Sequence, residues 1–198
     1  LIVNSVRHTG ASADGITLDA SGNVTFPGNA TCSGTPSGFG GITEADSWYL
    51  TSSFSGNATP IANNLSRCNL SGDGFDKLGT GMSVSSGIWT FPSTGHWLVN
   101  GVVFYEMVGG TQSRYNEFAI FATENNSSYV EVARSGHWFD NYNSQRVNSN
   151  NCQAIIDCTD TSNVKVQFKM QVNNTSCETQ GSGSIYKTRF NFIRLADT

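Results

Sequence analysis

Residues 75–107, FDKLGTGMSVSSGIWTFPSTGHWLVNGVVFYEM, decide the fold. Residues 88–91 are rich in β-branched and aromatic side chains, which predicts a short strand. Pro92 ends this strand because proline has no N–H to donate to a ladder, and Gly95 supplies the backbone freedom for a corner. Residues 96–107 then predict one long strand that is apolar on both faces.

The long strand raises the question of what covers its two faces. Side chains alternate along a strand and therefore point to opposite faces. One face carries Trp97, Val99, Val103 and Tyr105, and the other carries Leu98, Val102 and Phe104 with His96 and Asn100. In an antiparallel protein the domain's own core covers one face. The second cover is either the other sheet of a sandwich or a neighbouring subunit, and the sequence leaves both open.

Composition predicts an all-β protein. Only 13% of the 198 residues are charged, 21 are glycine, and no window shows a helical apolar repeat with caps. Short alternating runs separated by Gly, Asn and Ser turns indicate a β-sandwich. The formal net charge of −4 and the scattered arginines argue against a nucleic acid or a membrane as partner, because both need clustered cations.

Further strands are predicted from apolar or alternating runs at residues 47–53, 59–69, 114–123, 129–134, 153–158, 164–172 and 185–195. The alternation is clearest in residues 164–172, whose apolar side chains face the core. Lys165, Gln167 and Lys169 are predicted to face water. Two stretches rich in Asn and Ser, residues 139–151 and 173–184, are predicted to be loops.

The first 35 residues predict a separate arm. Ile16 and Leu18 alternate with polar residues, residues 19–23 favour a turn, and Val24 and Phe26 resume the alternation, which together predict a β-hairpin. Two short strands are not stable alone, so the arm needs other copies of itself or a particle that anchors it. We therefore divide the chain into an anchoring arm (1–35), a Gly/Pro/Ser linker (36–43) and a head domain (44–198).

Five cysteines are present, at positions 32, 68, 152, 158 and 177. An odd number leaves one cysteine unpaired in any monomeric disulfide framework, and no zinc-binding spacing occurs. One interpretation is buried free thiols in a protein assembled in a reducing cytoplasm. The other is a Cys152–Cys158 link or an inter-chain bridge.

Residues with catalytic chemistry are few and dispersed. No nucleophile-elbow motif accompanies the histidines, and no two carboxylates stand out as a glycosidase pair, so we expect that the protein is not an enzyme. Asp73 and Asp76 are the one weak possibility for calcium, and a plain turn is the preferred interpretation. No other cofactor is expected.

The candidate ligand-binding residues are His137, Trp138 and Asp140, which are predicted to lie in a loop. An exposed aromatic ring beside polar groups is typical of a surface that binds sugars, because rings stack on the apolar faces of sugars. The alternative interpretation places Trp138 and Phe139 in a core strand.

Two segments of the opening stretch, FDKLGTGM (75–82) and SSGIWTFPSTGHWLV (85–99), resemble the first strands of C1q/TNF-like jelly-roll domains. DCTDTSNVKVQF (157–168) and FNFIRL (190–195) are similar to the late and final strands of that family. The chain departs from the pattern where His96 and Trp97 stand in place of a tyrosine. The resemblance covers about residues 44–198, and it implies a jelly-roll sandwich that packs as a homotrimer and binds glycans or proteins.

Such a trimer would give the long strand its second cover, with His96, Leu98, Val102 and Phe104 as the candidate interface. SSGIWTFPSTG (85–95) and the arm segment TLDASGNVTF (17–26) also resemble bacteriophage virion proteins, particularly those of marine phages. This resemblance implies a structural protein that is made in the host cytoplasm and carried on the virion, where the arm binds other virion proteins. The expected role is a fibre or appendage whose head contacts a host-surface glycan or protein. The alternatives are a capsid decoration protein and a secreted C1q-like lectin.

Overall fold

The computed structural model describes residues 4–27, 41–69, 77–107, 115–138 and 146–198. These residues form strands, turns and bends, and none of them lies in a helix, which confirms the predicted all-β class. None of them therefore forms a helix that could cross a membrane. The chain divides into two compact units, residues 1–41 and 42–198.

The first unit contains a small antiparallel sheet. Its strands are β1 (Ser5–Val6), β2 (Ile16–Leu18) and β3 (Val24–Thr25), in the order β1-β2-β3. β2 and β3 form the predicted hairpin, and β1 adds a third strand that the sequence did not indicate. The Asp19 carboxylate closes the hairpin turn by accepting hydrogen bonds from the side-chain amide of Asn23 and from the backbone N–H groups of Asn23 and Ser21, and these bonds lower the pKa of Asp19.

The second unit contains twelve strands in the part of the chain that the structure describes. They are β4 (Ala45–Leu50), β5 (Phe54–Ser55), β6 (Leu65–Arg67), β7 (Ser83–Ser85), β8 (Ile88–Thr90), β9 (Gly95–Met107), β10 (Tyr115–Thr123), β11 (Val130–Trp138), β12 (Arg146–Cys158), β13 (Lys165–Val172), β14 (Cys177–Thr179) and β15 (Arg189–Ala196).

These strands form two antiparallel sheets. One has five strands in the order β11-β10-β13-β8-β7, and the other has seven, in the order β5-β14-β9-β15-β4-β6 with β12 on the other edge of β9. β9 is the predicted long strand, and it pairs with β12 along its whole length. On its opposite edge it pairs with β15 and then with β14.

Aromatic side chains from both sheets fill the core between them. The ring of Phe168 lies 4.5 Å from that of Phe190, and the ring of Trp89 lies 5.0 Å from that of Phe192 (centroid distances). The odd-numbered residues of β9 belong to this core, and its even-numbered residues face outward and are half-buried. The structure thus assigns the face with Trp97 to the subunit's own core.

Two glycines of β9 are required by their positions. Gly95 has φ of +137°, so it makes the predicted corner in a conformation that other residues rarely adopt. Gly101 lies opposite a ring of the facing sheet: a Cβ at this position would stand 2.3 Å from Cζ of Phe118. The close approach of the two sheets here depends on the absent side chain.

Hydrogen bonds to the buried carboxylate of Asp46 stabilise the start of the head domain. Asp46 on β4 accepts hydrogen bonds from Arg67 Nε at 2.9 Å, from Trp48 Nε1 at 2.8 Å and from the backbone N–H of Met82 at 2.8 Å. The Arg67 guanidinium also lies 4.7 Å from the centre of the Trp48 ring. One charged pair therefore joins β4, β6 and the segment that leads into β7.

The strand predictions were wrong at several places. Residues 59–64 of the predicted strand 59–69 and residues 185–188 of the predicted strand 185–195 lie outside the strands. β12 begins at Arg146, inside the predicted loop 139–151. The prediction missed this start because Asn150, a polar residue, is buried and faces the core, where the alternating pattern of a strand requires an apolar residue. β14 lies inside the predicted loop 173–184. Lys165 and Gln167 are buried rather than exposed to water. The buried ammonium group of Lys165 has a hydrogen-bond partner, since its Nζ donates to Thr90 Oγ1 at 3.1 Å on the neighbouring strand.

Cys152, Cys158 and Cys177 are free and buried, and Cys68 is also buried. A Cys152–Cys158 link is therefore absent, and the interpretation as buried thiols holds for Cys68, Cys152, Cys158 and Cys177. Burial raises the pKa of Cys152 to about 12 and that of Cys158 to about 11. Both thiols are neutral at physiological pH.

Candidate functional site

The predicted interface residues share the outer face of β9. His96, Leu98, Val102 and Phe104 all point away from the core and are half-buried. Side-chain alternation explains this placement, because the odd-numbered residues of the strand fill the core. The structure thus brings the four residues together along one surface, which we call the β9 outer face and extend to its neighbours on β4, β15 and β12.

The β9 outer face contains an apolar row that crosses four strands. The register places Ala45, Ile193, Leu98 and Ile155 side by side on β4, β15, β9 and β12. Ile155 is 64% exposed. A depression of about 310 Å³ lies over Ala45, Ile193 and Leu98 of this row and over the polar residues beside them. Ile155 and Ile193 were not predicted as site residues, because cross-strand register is not readable from one strand alone.

A row of amides runs beside the apolar row. Ser47 Oγ donates to Asn191 Oδ1 at 2.6 Å, and Asn191 Nδ2 donates to Asn100 Oδ1 at 3.3 Å. Asn100 Nδ2 continues the chain to Asn151 Oδ1 at 2.8 Å. These bonds satisfy polar groups from four strands, so the groups keep their hydrogen-bond partners when this face loses its contact with water.

Charged groups lie at both ends of the β9 outer face. His96 Nε2 lies 3.9 Å from Asp157 Oδ2, and His96 Nδ1 lies 3.0 Å from the carbonyl oxygen of Asp197. At the other end, Lys187 Nζ lies 6.0 Å from the centre of the Phe104 ring. The rows of side chains through Leu98 and Asn100 therefore carry no charged group, and the charged groups lie toward both ends of the face, as in many protein interfaces.

A second apolar surface lies at the edge of the sandwich, between β11 of one sheet and β12 of the other. Val130 is 63% exposed and Val132 is 41% exposed, and together with Ile155 they line a groove of about 500 Å³. We call it the edge groove. The sequence predicted a strand here but gave no sign that its valines face outward.

The predicted ligand-binding loop is instead the end of a strand. His137 and Trp138 are the last two residues of β11 and point to opposite faces, so they do not form one site. Asp140 lies outside the described residues, as do Asp73 and Asp76. Trp138 is 74% exposed and thus is not a core residue. Its neighbour across the strands is Tyr115, whose ring centroid is 6.0 Å from that of Trp138.

A charged cluster continues from Trp138 along the outer face of the five-stranded sheet. Arg134 donates to Glu117 Oε2 at 2.7 Å and to Glu131 Oε1 at 2.8 Å. Hydrogen bonding to Arg134 lowers the pKa of Glu131. Lys169 Nζ lies 3.7 Å from the centre of the Phe121 ring.

The described residues offer little for catalysis. Glu117 and Glu131 both pair with Arg134, and this pairing lowers the pKa of Glu131, which favours its ionised form over one that can donate a proton. No group of three or more His, Cys, Asp or Glu residues that could hold a metal ion occurs within the described ranges.

The comparisons with known proteins identify the fold. The structure is similar to that of Eiger TNF from S. frugiperda, with a TM-score of 0.58 and 11% identity, over 79% of this chain and 95% of that chain. It is also similar to murine APRIL at pH 5.0, with a TM-score of 0.54 and 12% identity, over 77% of this chain and 98% of that chain. No protein-family model and no curated protein sequence matches the chain. The predicted TNF/C1q-like jelly roll is thereby confirmed as the fold.

Proposed function

We propose that the chain is a non-enzymatic structural protein of a phage particle, with a homotrimeric head that contacts the host surface. The observation that carries the homotrimeric part of this proposal is the β9 outer face. Its central row of Ala45, Ile193, Leu98 and Ile155 is apolar, and its amides are already paired with one another. Such a face gains free energy when a partner covers it.

Two unlike apolar surfaces favour a closed ring of subunits. The β9 outer face is a broad sheet surface, whereas the edge groove, which adjoins it at Ile155, is a cleft lined by Val130 and Val132. When a subunit binds its neighbour through two different surfaces, the contact is heterologous, and a rotation that closes produces a cyclic oligomer. The resemblance noted in the sequence selects the trimer among such rings.

The arm supports an anchoring role. One face of the sheet in the arm is apolar and carries Val6, Ile16, Leu18 and Val24, which are cross-strand neighbours or alternate along a strand. The opposite face carries Ser5, Thr17 and Thr25. Val6 is 54% exposed and Val24 is 49% exposed. Three short strands with an uncovered apolar face require a host surface for stable packing. We assign residues 1–35 to this attachment and residues 36–43 to the linker.

The particle on which the head is displayed is proposed from the sequence resemblance to phage virion proteins. A fibre or appendage tip places the head where it meets the host, and a capsid site would make the same chain a decoration protein. A secreted lectin would place it on no particle. The three settings differ in location rather than in fold.

Electron microscopy of intact particles labelled with an antibody against residues 44–198 tests the proposal. We expect label at fibre or appendage tips, and purified protein should then compete with particles for adsorption to host cells. Label spread over the shell would replace the adsorption role by decoration. Absence of the protein from purified particles would refute the phage setting.

A further inference from the structure

Trp138 is the exposed outlier among the tryptophans of the chain. Of the four tryptophans, Trp89 and Trp97 are fully buried and Trp48 is half-buried, whereas Trp138 is 74% exposed. Leaving an indole ring in water forgoes the large stabilisation that its burial provides. An aromatic ring held outward at the end of a rigid strand therefore suggests a contact surface.

The surroundings of Trp138 form a shallow, ordered platform. Tyr115 lies beside it with the two ring planes inclined by 49°, and Gln171 Nε2 donates to the Tyr115 hydroxyl at 3.5 Å. Gly136 is the next residue on the same face of β11 and is exposed. Its missing side chain leaves the surface beside the Trp138 ring low, next to Glu117 on β10.

Hydrogen-bonding groups border this platform, and their charges cancel. Arg134 binds both Glu117 and Glu131, so its guanidinium is already matched by two carboxylates. Lys169 brings the local balance to two positive and two negative groups. Glu117 binds Arg134 through Oε2, and its Oε1 atom makes no hydrogen bond among the described residues. A carboxylate oxygen of this kind accepts hydroxyl groups well.

We propose that this face of β11 and β10 binds a neutral pyranose sugar of a surface saccharide. The ring of Trp138 stacks on the apolar C–H face of the sugar, and Tyr115 borders the same ring. Glu117 Oε1 accepts hydroxyl hydrogens above Gly136. Because the cations are compensated, the platform disfavours an anionic sugar. This inference rests on the proposed function, since it names the class of host-surface ligand that the head recognises.

The test uses the full-length protein labelled with ¹⁵N and two glycosides with the same ring. The probes are methyl β-D-glucopyranoside and its anionic counterpart methyl β-D-glucuronide, each titrated to roughly 20 mM because contacts with one sugar ring are of millimolar strength. The Trp138 indole N–H signal is identified by its loss in Trp138→Phe. We expect it to shift and saturate with the neutral glycoside, with at least fivefold weaker binding of the glucuronide. The indole signals of Trp89 and Trp97 should not move.

Variants separate stacking from general surface effects. Trp138→Ala should reduce affinity for the neutral glycoside at least tenfold, followed by signals of Gly136, whereas Trp138→Phe should retain most of it. Ile185→Ala removes an exposed apolar side chain elsewhere and should change nothing. Glu117→Gln uncovers positive charge on Arg134 and should shift the preference toward the glucuronide.

Three results would overturn the proposal. They are the absence of any saturable shift at Trp138, equal binding of the two glycosides by the unaltered protein, and unchanged binding by Trp138→Ala. None of them bears on the trimer or on the location of the protein, which the mass of the assembly and particle labelling determine separately. Conversely, a monomeric protein absent from particles would refute the proposed function even if Trp138 bound the sugar.

Discussion

Replacing Leu98 by Asp should dissociate the trimer without unfolding the subunit. Leu98 lies in the middle of the apolar row, between Ile193 on β15 and Ile155 on β12. Leu98 is already half-buried in the subunit, so its remaining burial in the trimer should contribute about half of the value for a fully buried leucine, about 0.8–1.5 kcal/mol per subunit or about 2.4–4.5 kcal/mol over three subunits. A carboxylate at this position would also lose water with no cation beside it, which adds to the loss.

The matched variants make this prediction specific. Val102→Asp should weaken the trimer less, because Arg189 lies directly across from Val102 and can pair with the new carboxylate. Ser83→Asp places the same charge on exposed β7, at the far edge of the other sheet, and should leave the trimer intact. Sedimentation velocity over a concentration series measures the dissociation constant of the trimer for each of the three variants. If Leu98→Asp remained trimeric at the concentrations where the unaltered protein does, the β9 outer face would not be the interface.

Three further predictions concern the subunit. Asp46→Asn removes the charge that holds Arg67 and should lower the free energy of unfolding in urea by about 3 kcal/mol, whereas an unchanged midpoint would contradict the role of this pair. Gly101→Ala forces a methyl group toward the Phe118 ring and should cost about 1–3 kcal/mol in the same assay, and a stabilised variant would contradict the close approach of the sheets. The pKa values of Cys152 and Cys158 are raised to about 12 and about 11. The contribution of each thiol to the free energy of unfolding is therefore complete below the pKa of an unfolded thiol, about 8.5. It is lost as the pH rises from there to the raised pKa, by about 1.4 kcal/mol per pH unit for each thiol. Urea titrations at increasing alkaline pH measure this loss, and a flat profile would show that the thiols are not buried.

The sequence predicted the parts of the fold that depend on local pattern. The alternation in residues 96–107 separated two apolar faces, of which the structure assigns one to the core, and the Pro92–Gly95 corner was placed correctly because both residues have restricted backbone roles. β12 was missed at its start because Asn148 and Asn150 occupy inward positions where apolar residues are expected. Asn150 accepts a hydrogen bond from the Tyr105 hydroxyl at 3.2 Å, a compensation that only the tertiary structure reveals.

The candidate site was predictable only in part, because it depends on register between strands distant in sequence. The four β9 residues followed from alternation, but Ile193 and Ile155 join them from strands about 95 and 57 positions away. Trp138 was recognised as a candidate, but its neighbour was predicted to be His137. Across the sheet the true neighbour is Tyr115, because adjacent residues of one strand point to opposite faces.

The most direct test of the central claim, that the head is a homotrimer built on the β9 outer face, is the mass of the unaltered assembly. Native mass spectrometry of the full-length protein at micromolar concentration should give three times the chain mass of 21.3 kDa. A single species at the mass of one chain under these conditions would contradict the account.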